Sequence, residues 1–193
     1  ITKSGAGRVV LSGAGSSYTG TAVNVTGGIL ELQNVTALGG VAATPGTGAT
    51  ITIGSGGLFR YNSATAGTVA NPLVLSGGTL SSGGYTSNAT TLALTAINHT
   101  FSGPVSLASD SGLSLSDLGA GATPGHTMTL SGVLSGTGKL TVDSVGTVGS
   151  GNQITGTLVL SAANPAWTGG MTLKRGTVDL RQPDSLGTGA VNV

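Results

Sequence analysis

The chain holds only six carboxylates, Glu31, Asp110, Asp117, Asp143, Asp179 and Asp184, and two imidazoles, His99 and His126. Cleavage of a polysaccharide by paired acids would need two of the six within roughly 5 to 10 Å of each other. Lyase chemistry would set a carboxylate beside Lys, Arg or calcium from a neighbouring part of the fold. Asp110 and Asp117 in "SDSGLSLSD" could face one way if the chain turned between them, yet Asp in such a turn is ordinarily solvated. Glu31 in "LEL" and Asp179 in "VDL" stand between apolar residues, so strand alternation points both outward, toward water. His99 and His126 each lie beside Thr, far in sequence from any acid, and a metal site would need separate segments to bring them together. We therefore expect no catalytic residues, no metal and no cofactor.

Nucleophile and phosphate motifs are no richer. Serine is abundant, but there is no G-x-S-x-G elbow with a downstream Asp and His. "GAGSS" and "GTGAV" read as glycine turns, and "GTGKLTV" lacks the glycine approach and the helix of a phosphate loop, so Lys139 is expected to be a solvent-facing strand residue. Repeated Asp-bearing glycine turns, the mark of calcium-stapled coils, are missing. A net charge of +1 with scattered Lys and Arg gives no basic face for nucleic acid or anionic lipid. Four sequons, at Asn24, Asn34, Asn88 and Asn98, read as by-products of a chain rich in Asn, Ser and Thr. The aromatics are Tyr18, Tyr61, Tyr85, Phe59, Phe101 and Trp167. Tyr18 and Trp167 recur at one position of a repeated phrase. Facing outward they would be the candidate contacts to carbohydrate or a partner; folded over a coil corner they would cover apolar surface, and the second reading is preferred.

These residues must be placed by elements with little helical signal. Glycine numbers 36 of 193 residues and charged residues are 7%, but 38% are apolar, which separates the chain from a disordered linker. Short alternating segments such as "RVVL", "AVNV", "GILEL", "ATITI", "LFRY", "TLALT", "PVSLA", "HTMTL", "KLTV" and "TVDL" are punctuated by "SG", "GG" and "GTG", as strands and turns would be. No cysteine is available for disulfides. The longest apolar runs fall far below the roughly 20 residues that span a bilayer, and "ITKSGAGRVV" has no signal-peptide core, so any export signal is expected outside this segment.

Self-similarity decides among all-β architectures. Val9-Val10-Leu11-Ser12 aligns with Leu158-Val159-Leu160-Ser161, Tyr18-Thr19-Gly20 with Trp167-Thr168-Gly169, and Leu32 and Leu38 with Leu180 and Leu186. Repeat phrases cover residues 5–39, 128–142 and 156–193 of what reads as one module, 1–193. Strand units that cannot bury an apolar face alone imply a solenoid, here a parallel β-helix. Val9, Leu11, Val23, Val25, Leu30 and Leu32 would line its interior. At roughly 20 residues per coil the chain would make about nine or ten coils.

The order "GAGRVVLSG", aromatic-Thr-Gly, "GGILEL", "ALGG", repeated as "GTLVLS", "WTGG", "GTVDL" and "LGTGAVNV", resembles the autotransporter-associated β-strand repeat, or passenger-associated transport repeat, of large bacterial surface proteins. The resemblance implies a right-handed parallel β-helix, export, and a place at the cell surface or outside the cell. Trp167 replaces the more usual Tyr, and this segment itself holds no translocator barrel, which leaves the export route open. Together the readings point to a structural extracellular module without catalytic activity. An adhesin or glycan-binding passenger is the alternative, and a polysaccharide lyase or hydrolase is the least favoured. Expected partners are copies of itself or neighbouring repeat modules, end to end or laterally, and cell-surface glycans, without nucleic acid or a membrane span in this segment.

Overall fold

The computed structural model describes residues 1–13, 18–40, 43–83, 85–87, 94–115, 126–144 and 156–193. The first strands are β1 (Thr2–Lys3), β2 (Arg8–Leu11), β3 (Ala22–Val25), β4 (Gly28–Leu32), β5 (Thr50–Gly54), β6 (Gly57–Asn62) and β7 (Gly67–Val69). They are followed by β8 (Leu73–Ser76), β9 (Thr79–Gly83), β10 (Tyr85–Ser87), β11 (Leu94–Ala96), β12 (His99–Phe101), β13 (Val105–Ser109) and β14 (Ser111–Leu115). The last are β15 (Thr127–Leu130), β16 (Leu134–Gly136), β17 (Leu140–Asp143), β18 (Thr157–Leu160), β19 (Met171–Arg175), β20 (Thr177–Leu180) and β21 (Val191–Asn192). No helix occurs among the described residues.

Three sheets are parallel throughout: an eight-stranded β2-β4-β6-β9-β14-β17-β19-β21, a six-stranded β1-β3-β5-β8-β13-β16 and a five-stranded β20-β18-β15-β12-β7. The chain visits them cyclically, as in β6, β7, β8 and again in β14, β15, β16, and each circuit returns beside the previous one. That circuit makes the chain a parallel β-solenoid. Alternation explains the interior. Val23, Ile51, Leu73, Val105 and Leu134 stack in register from the six-stranded sheet, and all are at most 1% exposed. Leu30, Phe59, Leu80, Leu113 and Val142 do the same from the eight-stranded sheet, and Val69, Phe101, Leu130 and Leu160 from the five-stranded one. Each buried side chain of this size contributes about 1.5–3 kcal/mol.

Coil length is not uniform. Successive partners in the eight-stranded sheet lie 20 residues apart at Met171 and Val191 but 33 apart at Thr79 and Gly112. The extra length enters between the eight- and five-stranded sheets, from Gly83 to His99, Leu115 to Thr127 and Asp143 to Thr157. Among the described residues the longest sheet has eight rungs. The first detour carries the antiparallel ribbon β10–β11, which the alternation did not anticipate. Most of "TLALT" lies outside the described residues, β11 beginning at its fourth residue. The strands β7, β12 and β16 were also missed, because three residues are too few to display a period of two. Val9 points inward opposite Leu30 yet is 42% exposed, and Leu11 is half-buried, because β2 is the outermost rung of its sheet.

At some glycines the coils approach too closely for a side chain. Gly132 packs on the Gly103 carbonyl and Gly169 on the Gly138 carbonyl, with no room for a Cβ at either position.

Candidate functional site

Trp167 is wholly enclosed in the core, and its Nε1 donates to the Gly138 carbonyl at 3.0 Å. It forms a parallel bridge with Gly136 at the end of β16, so its segment continues the ladder of the six-stranded sheet. The indole therefore offers no face to a sugar. Tyr18, its counterpart, is half-buried against the core, donates Oη–H to the Ala22 carbonyl at 2.9 Å and accepts from the Ile1 amine at 3.1 Å. Both rings close a coil corner.

Glu31 departs from expectation. It lies on the outer face of β4 as alternation requires, but it is buried rather than solvated. Its register neighbour is Arg60, and Oε2 lies 3.4 Å from Arg8 Nη1 and 3.9 Å from Arg60 Nη1. Oε1 accepts from Gln33 at 2.9 Å and Asn62 at 3.3 Å. Side chains two rungs apart thus fold over the carboxylate, which a strand-by-strand reading does not see. Asp179, the matching residue, is half exposed and pairs with Arg181 at 2.6 Å.

The remaining acids lie apart. Asp110 is exposed, accepts from the Lys139 backbone N–H at 2.8 Å and sits 3.9 Å from its ammonium, so Lys139 is a half-exposed turn residue just ahead of β17. Asp143 pairs with Arg175 Nε at 2.7 Å across adjacent rungs, and that hydrogen bond holds its carboxyl below the usual range. Asp184 turns the chain with a φ of 60°. Asp117 lies outside the described residues.

The two histidines, far apart in sequence, are brought together. Ser82 Oγ lies 2.9 Å from His99 Nδ1 and 2.7 Å from His126 Nε2. The imidazole centroids are 5.2 Å apart, and Tyr61 packs 4.3 Å from His99. Register explains this: Tyr61 and Ser82 are partners on the inner face of the eight-stranded sheet, while His99 opens β12 and His126 precedes β15 in the five-stranded sheet. Burial holds both imidazoles neutral, pushed down to about 4, with mutual repulsion adding to the effect at His99. Carbonyls of Thr65 and Ser63 near His99, and of Ile97 near His126, oppose the shift. One Oγ between two neutral imidazoles donates to one and accepts from the other. This resembles a base-activated serine only in composition: Ser82 is 0% exposed, no carboxylate of the described residues orients either ring, and no three metal-binding side chains cluster among them. Above Tyr61 a cavity of about 110 Å³, lined by Gln33, Val35, Ser63, Thr65 and Gly67 among others, opens to solvent.

Sequence reasoning also missed three polar anchors. Lys3 is buried with its ammonium on the carbonyls of Ser4, Gly5 and Gly27 at 2.7–2.8 Å. Asn71 and Asn164, both in Ala-Asn-Pro, are buried and tie neighbouring coils, Asn71 donating to Leu38 and Ala49 and Asn164 to Ser185. The repeated tripeptide was the available signal.

A parallel β-solenoid with a buried aromatic in its ladder is the class defined by this geometry. Within it, residues 1–32 and 155–180 match the family model described as the passenger-associated-transport-repeat. No curated protein and no solved structure matches the chain. No helix of the described residues is long and apolar enough to cross a membrane.

Proposed function

We propose that the chain is a non-catalytic structural module in the right-handed β-solenoid of a long bacterial protein presented at or beyond the cell surface. The observation that carries this reading is the continuous parallel ladder with passenger-associated-transport-repeats in its first and last rungs. Right-handedness is supported by the strong preference of parallel crossovers for that hand. The lack of catalysis is supported by the acids, since Glu31, Asp110, Asp143 and Asp179 each sit beside their own cation. Trp167, being enclosed, lends no support to glycan binding.

Its partners are copies of itself or neighbouring repeat modules. The outer face of the six-stranded sheet presents Thr2, Asn24, Thr52, Val74, Ser106 and Ser135 in one register column, without a charge to repel a neighbouring rod. Exposed Val9 and Leu180 on outer rungs are apolar surface that a further coil would cover. Negative-stain imaging of native material tests the proposal. Long thin fibres or stalks are expected; isolated short rods would overturn it.

A further inference from the structure

We propose that Tyr61, Ser82, His99 and His126 form an acid-labile clasp that holds the corner between the eight- and five-stranded sheets shut while both imidazoles are neutral, and releases it locally in acid. All four are at most 2% exposed, so the Ser82 hydroxyl and both imidazoles are polar groups shut away from water. The Ser82 hydroxyl bridges rungs that the chain separates by 17 and 44 residues, so it staples the first long detour and its successor to the same point.

Protonation of the second ring breaks this arrangement for a stereochemical reason. An imidazolium has two N–H donors and no acceptor, so with either ring charged the Ser82 Oγ–H must turn to the other, and with both charged it has nothing to donate to. Among the described residues no carboxylate acts on either ring. The eight-stranded sheet contributes Tyr61 and Ser82, with the apolar Leu115 next in their column, and the five-stranded sheet contributes the imidazoles themselves beside Gly67 and Met128. The one charged group among the described residues that acts on His99 is His126. His99 Nε2 and His126 Nδ1 have no hydrogen-bond partner, so a second proton there is stabilised only by the nearby carbonyls of Ser63, Thr65 and Ile97. Tyr61 also resists ionisation, its phenol pushed up by burial, and supplies no anion.

The linkage has a definite sign. The folded-state values of about 4 lie below the ordinary 6.5, so the stabilisation is complete above pH 6.5 and is lost as pH falls toward 4. From pH 7 to 5 the opening equilibrium should rise roughly twentyfold per histidine. Because the rest of the ladder has no such group, the loss should be local.

The test is hydrogen exchange on the full chain at pH 7, 6 and 5, expressed as protection factors, with imidazole NMR titration alongside. Amides of β12 and β15 should lose protection more than tenfold, while those of β3, β5 and β19 hold. The double substitution His99→Leu with His126→Leu should flatten the dependence. Should it fail to fold, the titration still decides: both imidazoles must stay neutral down to pH 5 in the folded chain. Titration of either near 6.5, or equal loss of protection along the whole ladder, would overturn the clasp.

Discussion

The two copies of the repeat phrase occupy different faces of the solenoid. The first runs through β2, β3 and β4, from the eight-stranded sheet to the six-stranded and back; the second runs through β18, β19, β20 and β21, alternating the five- and eight-stranded sheets. In each, the aromatic segment replaces a strand: the Tyr18 segment stands where the five-stranded sheet would continue, and the Trp167 segment where the six-stranded sheet does, as its bridge to Gly136 shows. The phrase therefore encodes a coil of two strands and one aromatic corner, indifferent to which face it lands on. What differs is cover. Trp167 lies against the rung of Gly136 and Gly138, whereas Tyr18 sits at the outer end of the ladder, on β3 and the Ile1 amine.

Truncating the two rings measures that difference. Trp167→Ala should cost about 3–5 kcal/mol, as for other wholly buried aromatics, and also strands the Gly138 carbonyl. Tyr18→Ala should cost about 1–2 kcal/mol, since only part of its ring is covered. Urea unfolding of both variants checks the ranking, and equal losses would mean that the corner, not its cover, sets the energy.

Two residues further on, the same pair of phrases supplies a sharper contrast. An added methyl at Gly169 meets the Gly138 backbone carbonyl, which cannot move without shifting a rung, so Gly169→Ala should cost about 1–3 kcal/mol. At Gly20 the obstacle is the end of the Tyr18 ring, which can swing, and Gly20→Ala should fall below about 1 kcal/mol. Thermal melts of the two variants decide this.

At the matched acids the ranking inverts, because here the first copy is the covered one. Glu31→Gln removes the charge that Arg8 and Arg60 share and should cost about 1–3 kcal/mol. Asp179→Asn loses one half-exposed pair and should cost below about 0.5 kcal/mol. Denaturation midpoints at low and high salt separate the two, the Asp179 effect being the one that salt erases.

How much of this was legible follows from which interactions are local. Alternation in "AVNV" and "GILEL" named the buried Val23, Val25, Leu30 and Leu32, because a half-buried strand writes its own pattern. The repeated aromatic named the coil corner. The faces of the two copies could not be read, since the detours that rotate the second copy lie between the phrases. Nor could the His99–Ser82–His126 contact, since its members come from three strands whose registers depend on every intervening coil length. Glu31 shows the same limit: its outward direction was legible, but its burial depends on Arg8 and Arg60 on the flanking rungs.

Asp143 and Arg175 give the smallest expected effect and a clean check on cross-rung pairing. They sit at the ends of β17 and β19, where a register shift sets Arg175 rather than Lys174 opposite the acid. The hydrogen bond from Arg175 lowers the Asp143 carboxyl, so its stabilisation is present above the ordinary 3.8 and disappears only as pH falls through the folded value. Arg175→Gln should return the carboxyl toward 3.8 in an NMR titration and leave stability at pH 7 nearly unchanged, because both groups are about a third exposed and screened by water. Lys174→Gln should move the same titration less, being only a through-space neighbour. Were Lys174 the stronger of the two, the shifted register at the end of β19 would be wrong, and with it the placement of the second repeat copy against the eight-stranded sheet.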